Sequence, residues 1–509
     1  ASGDPLQDAV IIWTRVTPDN NFGNPILVNW KMATDTAMSN VVAQGSQITE
    51  PAVDYTVKVD VAGLQPDTYY YYEFYAGGVN SIQGRTKTAP ANMKDSLRFA
   101  VVSCANLEAG FFNTYGVINQ KNDVDAVICL GDYIYEYESG GYSPNPGADR
   151  YFEPTHEIVA LEDYRARYSI YHLDEDLRQM HQYYPFIGIW DDHESANDSW
   201  TGGAENHSAS EGSWAQRKNY AQQAFFEWLP IRETNPNDPY QIYRKLSYGD
   251  LVDLFMLDTR LHGREEQAGT SGATVNDPNR TLLGQDQFAW LQQAISQSTA
   301  QYKVVGQQVM MAPLEVFGAA VNGDQWDGYP AERDNFFNFI NSNNIDNLVV
   351  LTGDIHTSWA NDLPGSGYSS SSGSGSVGVE FVTPSVTSPG ADFGGGIGAA
   401  AIQTFNSHMK FVDLTEHGFY ILDINQQRAQ ADWFFINTID QPSLQYAWAS
   451  SFYNLAGQRH LIETTTVATP RTELTSQILP LDCPRVIQEE PPVTDNIQEN
   501  KNITLLSVY

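Results

Sequence analysis

Ala126-Val127-Ile128-Cys129-Leu130-Gly131-Asp132-Tyr133-Ile134-Tyr135 passes from an unbroken apolar run of strand length straight into a glycine-aspartate turn. A strand that is apolar at every position is buried on both faces, so this run predicts the interior of a layered sheet. The same texture recurs upstream at Phe99 to Ser103 and downstream at Leu251 to Leu257, Lys303 to Val309 and Leu348 to Leu351. Helical patterns stand between these runs, around Glu162 to Tyr171, Trp214 to Trp228, Gln285 to Ser296 and Asp334 to Asn341. Strands alternating with helices predict a layered α/β domain with flanking helices.

Outward from this core the texture changes. Residues 1 to about 90 carry short β-rich runs, Ala9 to Val16, Ile26 to Met32, Tyr55 to Val61 and Tyr69 to Tyr75, separated by Pro, Asp, Asn and Gly clusters. That spacing predicts a small all-β sandwich, and Gly63 to Thr68 leading into Tyr69 to Tyr72 looks like the turn and tyrosine strand of fibronectin- or Ig-like modules. Thr86 to Asn92 reads as the linker into the α/β domain, which spans 95–440. Gly365 to Gly378 is a Ser/Gly-rich loop, followed by strand texture at Val379 to Thr383, Gly418 to Ile424 and Arg428 to Phe435. Residues 441–509 form an extension, the segment Ile436 to Thr466 being placed to close the mouth of a site, with an extended tail from about Pro480.

A chain of 509 residues at 41% hydrophobic has ample core, which excludes disorder and fibre. With 28 Lys and Arg against 62 Asp and Glu the formal charge is −34, repelling nucleic acid phosphate and anionic lipid. Such acidity suits secretion into saline or calcium-containing water. Three cysteines allow at most one disulfide. No run of 18 apolar residues is present, and a start at Ala1 without a leader reads as a mature or trimmed chain.

The chemistry gathers where apolar runs end, as open sheets place their sites outside the carboxyl ends of strands. Cys104 follows Phe99 to Ser103, Asp132 and Tyr135 follow Val127 to Leu130, Asp354 and His356 follow Leu348 to Leu351, and Asp191-Asp192-His193-Glu194 follows Phe186 to Trp190. Thiolate, phenolate, carboxylate and imidazole together suit a trivalent iron. Asp192 and Asp354, added to a bridging Asp132, make an oxygen-rich set for calcium. Duller readings stand beside these. Cys129 belongs to the packed core, lone Gly-Asp pairs are ordinary turns, and Arg165 and Arg167 suit helix-surface ion pairs. Asp258-Thr259-Arg260 and Trp326-Asp327 read as scaffold or as groups that support the ligands from behind, and the sequons at Asn197, Asn206, Asn279 and Asn502 occur by chance.

Taken in order, Ser2-Gly3-Asp4-Pro5, Trp13-Thr14-Arg15, Ser103-Cys104, Leu130 to Glu136, Asp163-Tyr164-Arg165, Trp190 to Glu194, Leu257 to Arg260, Trp326 to Pro330, Gly353 to His356 and Phe381 to Pro384 resemble one family. It is the PhoD-like alkaline phosphatase and phosphodiesterase family, within the wider calcineurin-like and purple-acid-type metallophosphatases. The resemblance implies a secreted phosphoesterase acting at alkaline pH by metal-activated hydroxide, with Cys104, Tyr135 and His356 on Fe(III), Asp132 bridging, and Asp192 and Asp354 on one or two Ca(II) ions. It implies His193 as general acid, Arg165 as oxyanion clamp and His408 near the substrate. The superfamily's further ligand from the strand before the last motif has no evident counterpart, since Gln307 and Gln308 are neutral amides. Phosphodiesterase or phospholipase D-like action on the same centre is the nearest alternative, and a calcium-dependent adhesion protein the alternative from another class. The resemblance also implies a secreted, extracellular or periplasmic location, reached by folded export through the twin-arginine route. Oligomeric state is not legible.

Overall fold

The structure, a computed structural model, describes residues 1–18, 23–390 and 398–471. The expected tail, Cys483 and Asn502 therefore lie outside the described residues. Two sheets pack face to face, one of ten strands and one of seven. In the first, Ser96–Val102, Ala126–Cys129 and Pro185–Gly188 lie side by side and parallel, Phe99 opposite Ala126 and Cys129 opposite Gly188. In the second, Val252–Met256, Tyr302–Gly306, Leu348–Thr352 and Ser376–Val382 are parallel neighbours in that order. Parallel pairing in near register delivers the carboxyl ends of these strands to one side, where the candidate ligands sit.

Period-two alternation decides which side chains fill the space between the sheets. Val252, Leu254 and Met256 join Val101, Val127 and Tyr420 in the inter-sheet core, whereas Phe255, Val305 and Val350 turn outward onto helices Gly284–Gln297 and Pro330–Ser342. Helices Asn113–Lys121, Leu161–Tyr171, Glu175–Tyr183 and Trp214–Trp228 accompany the ten-stranded sheet. Burying each large side chain here contributes roughly 1.5–3 kcal/mol, enough in sum to fix the ends of the strands rigidly. Among the described residues no helix is long and apolar enough to cross a membrane.

The amino-terminal part is all-β, but it is not closed off from the core. Ser2–Gly3 pairs in parallel with Pro185–Gly188, and Ala9–Arg15 and Thr56–Ala62 continue the ten-stranded sheet to its end. A five-stranded sheet covers that end, with Val10, Ile12, Val57, Val28, Met32 and Tyr72 in one apolar cluster. Gly3 lets the first strand enter, since a Cβ there would lie 2.4 Å from the Pro230 carbonyl oxygen. The carboxyl-terminal part also differs from expectation. Tyr446–Leu455 and Ile462–Thr464 add strands to the opposite end of the ten-stranded sheet, so most of 436–466 extends the sheet and does not cover a mouth. The connecting loop packs on the segments that follow Cys104 and Tyr135, where Phe111 N donates to Ile439 O at 2.8 Å and Asn145 Nδ2 to Asp440 at 2.6 Å.

Candidate metal centre

Four candidate ligands share a backbone feature. Cys104, Asp132, Asp354 and His356 have φ of 62°, 54°, 65° and 58°. Non-glycine residues in the left-handed region cost on the order of 1 kcal/mol each, and they cluster where a surrounding structure over-determines them. Here that structure is a set of interlocked turns. Cys104 N donates to Gly131 O at 3.2 Å, Ala105 N to Asp132 O at 2.9 Å, and Thr387 N and Ser388 N to Cys104 O at 3.3 Å. Gly131, at φ 107°, lets Asp191 approach, since a Cβ would lie 2.4 Å from that of Asp191.

The turns bring seven acidic, thiol and imidazole groups into three overlapping constellations. Cys104, Asp132 and His356 form one, Asp132, Asp192 and His193 a second, and Asp191, Asp192 and Asp354 a third, the ligating atoms of each lying within 4.8 Å of one another. Tyr135 joins the first, its hydroxyl 3.1 Å from Asp132 Oδ2 and 3.3 Å from His356 Nε2. His356 Nδ1 is 3.0 Å from the Pro389 carbonyl, which can only accept, so Nδ1 carries the proton and the Nε2 lone pair faces Tyr135 and Asp132. Cys104, Tyr135, His356, Asp132, Asp192 and Asp354 are thus brought together as their motifs predict.

The residues fit a cation pair. Asp132 Oδ1, Asp191 Oδ2 and Asp192 Oδ1 are buried without a hydrogen-bond partner, an expensive condition that a cation relieves. Burial pushes the carboxyls of Asp191 and Asp354 well above the usual carboxylate range despite Arg260, and neighbouring carboxylates add to it. Burial also raises Asp192, but Arg260 and His193 outweigh it and hold that group at about 2. The Cys104 thiol and Tyr135 phenol are pushed up by burial first and by Asp132 second, so both wait on a positive charge to ionise.

His193 sits at the second constellation with its Nδ1 2.8 Å from Glu136 Oε2, which leaves Nε2 for the pocket. Burial opposes its protonation, yet the carboxylates of Asp192, Glu136 and Asp132 outweigh burial and hold the ring well above the ordinary histidine range. Glu136 also accepts from Asn197 N at 2.6 Å and Asn206 Nδ2 at 2.9 Å. Glu194 runs the other way, accepting from Asp132 N at 3.1 Å, Tyr133 N at 2.5 Å and Asp191 N at 2.7 Å. Each ligand loop therefore sends one buried glutamate into the other.

Two expected site residues lie elsewhere. Arg165 makes a bidentate pair with Glu227, both contacts at 2.7 Å, and donates to Ala52 O, so it ties its helix to helix Trp214–Trp228 and to the turn at Pro51–Val53, and it belongs to none of the three constellations. His408 is 8% exposed, and its Nε2 is 2.8 Å from the Pro313 carbonyl. It braces a turn and belongs to none of the three constellations. Gln307 and Gln308 are spent on Thr352, Trp326, Thr259 and the Trp190 and Leu257 carbonyls. The arginine of the centre is Arg260, fully buried, its Nε on Asp191 at 2.5 Å, Nη1 on both oxygens of Asp324 at 2.8 Å and Nη2 on Asp354 at 2.5 Å. Asp191 and Glu136 stand in the quoted motifs with no role of their own, and Arg260 stands there as scaffold or ligand support; the strand-end position of Asp258-Thr259-Arg260 is the signal that brings it to the centre.

Comparison with known proteins agrees along the chain. Residues 1–90 match the model of the PhoD-like phosphatase N-terminal domain, and residues 99–433 match that of the PhoD-like phosphatase. Alkaline phosphatase D of Bacillus subtilis (strain 168) is 36% identical over 487 residues, covering 92% of this chain and 82% of that protein. A solved structure described as that of PhoD superposes with a TM-score of 0.85 at 33% identity, over 93% of this chain and 92% of that one.

Proposed function

The chain belongs to the PhoD-like phosphatase family, and from that premise we propose how it acts as a metal-dependent phosphoesterase. The observation that carries the proposal is the double membership of Asp132, which stands in a thiol-imidazole constellation and in a carboxylate constellation at once. A carboxylate so placed can bridge two unlike ions. Cys104, Tyr135 and His356 would hold a trivalent iron, and Asp192 and Asp354, with Asp191 beside them, a calcium. When bound, such a pair supplies Lewis acidity that activates water and neutralises phosphoryl charge.

The chain's own groups do the rest. Glu136 fixes the His193 ring so that Nε2 points into the pocket, where it can give a proton to the leaving oxygen of the ester. Arg260 holds Asp354 and Asp191 in place and offsets part of the acidic charge. Release of inorganic phosphate into an alkaline, calcium-containing exterior belongs to the same proposal, supported by the acidic composition and the family match.

Elemental analysis beside the visible spectrum, with hydrolysis of para-nitrophenyl phosphate before and after calcium chelation, tests this reading. About one iron per chain, a charge-transfer band lost in Tyr135→Phe, and activity abolished by chelation are expected. A colourless protein carrying zinc or no metal, with chelator-resistant turnover, would sink the iron-calcium assignment.

A further inference from the structure

Beside the metal constellations stands a stack of rings. Tyr142 lies parallel to Tyr137, centroids 5.1 Å apart at 8°, and to Tyr135, 5.4 Å apart at 21°. His193 meets all three, at 4.2 Å from Tyr135, 5.6 Å from Tyr142 and 5.7 Å from Tyr137. Tyr135 is wholly buried, whereas Tyr137 and Tyr142 are half-buried, so the stack runs from the candidate ligand out to solvent.

The loop carrying the outer rings is held firmly. Buried Glu108 accepts from Gly140 N at 2.8 Å, Phe152 N at 3.3 Å and Ser139 Oγ, and its carbonyl accepts from Asn145 N at 3.0 Å. Asn106 Nδ2 donates to the Tyr142 carbonyl at 3.3 Å. A glutamate buried to pin a half-exposed loop fixes its ring faces in advance, the preorganisation that an aromatic contact needs to contribute to binding.

We propose that Tyr137 and Tyr142 form a platform for the leaving group, favouring phosphate esters whose alcohol part is a planar ring. The proposal rests on the phosphoesterase reading and adds a specificity to it. An ester positioned for proton delivery by His193 has its departing oxygen beside that imidazole, so the attached group lies against the rings around it. A ring there extends the stack of Tyr137 and Tyr142, while an aliphatic group of equal bulk gains only burial.

The test compares phenyl, cyclohexyl and methyl phosphate as substrates of the metal-loaded full chain, each variant being referred to wild type with the same ester so that leaving-group reactivity cancels. Tyr142→Leu should raise KM for phenyl phosphate about fivefold with kcat changed less than about twofold. The loss on methyl and cyclohexyl phosphate should be smaller than that on phenyl phosphate, and Tyr142→Phe should lose less on phenyl phosphate than Tyr142→Leu. Equal losses on all three esters, no change on phenyl phosphate, or a Phe variant as impaired as the Leu variant would each overturn the platform, leaving the tyrosines as packing for Tyr135. Should Tyr142→Leu not fold, Tyr137→Leu is read by the same ratios. A wild-type chain that turns over none of the esters takes the phosphoesterase reading down with it, which separates the two failures.

Discussion

The two sides of the metal pocket are built on opposite principles. On the thiol side, the Cys104 thiol and the Tyr135 phenol carry no charge while protonated, and neutral partners position all three candidate ligands: Ser103 Oγ at 3.0 Å from Cys104 Sγ, Ser388 Oγ donating to the Tyr135 hydroxyl at 2.6 Å, and the Pro389 carbonyl on His356. On the oxygen side, Asp191, Asp192 and Asp354 crowd three carboxyls together, and the buried Arg260 guanidinium answers all three, with His193 beside Asp192. The first side can be assembled during folding without any ion. The second is a charge problem that folding leaves partly unsolved, which is where cation binding gains its free energy.

Breaking the one residue common to both sides should cost most. Asp132→Asn is expected to lose both ions and to lower kcat at least about a thousandfold, measured by metal content and turnover together. Retention of either ion at full stoichiometry would show that the sides do not depend on a shared carboxylate. Arg260→Met strikes the oxygen side alone. Leaving the carboxyls unanswered should destabilise the metal-free protein by about 3–5 kcal/mol, and added calcium should recover more of that loss in Tm than it gives wild type. Equal calcium responses would remove the charge argument. The smallest effect belongs to the arginine outside the comparison: Arg165→Ala should cost about 1 kcal/mol of stability through its pair with Glu227, with kcat within about twofold of wild type. A hundredfold loss of kcat there would return Arg165 to the centre and displace Arg260.

Much of this was legible because burial on both faces writes itself into a strand. Ala9–Arg15, Ala126–Cys129 and Leu348–Thr352 fall within a residue or two of their apolar runs, and Trp214–Trp228 coincides with its helical pattern. Helices Asn113–Lys121 and Glu175–Tyr183 were not read, since their buried faces include polar groups whose partners are distant in sequence. Asn113 donates to the Thr438 and Gln441 carbonyls, and Asn119 to Asp176 O. Strand Val41–Thr49 escaped because it is an edge strand with little apolar alternation. At the site, metal ligands announced themselves at strand ends, but the sequence does not show which arginine meets their carboxyls. Arg165 belongs to a helix, and its partner Glu227 is 62 residues away. Arg260 follows a strand, so the rule that located Asp132 and Asp354 would also have selected it. Sequence separates groups by motif, and only the folded chain shows which of them share a carboxylate.

The crossed glutamates have one further consequence. Because Glu136 reaches from the 131–136 turn into the 191–197 turn and Glu194 reaches back, neither turn can be remodelled while the other stays as it is. Under mutation the pair behaves as one inherited unit, with strong epistasis inside it and freedom outside. New substrate preferences have room to arise from exchange of the 137–149 rim, while the ligand turns pass unchanged from one specificity to the next.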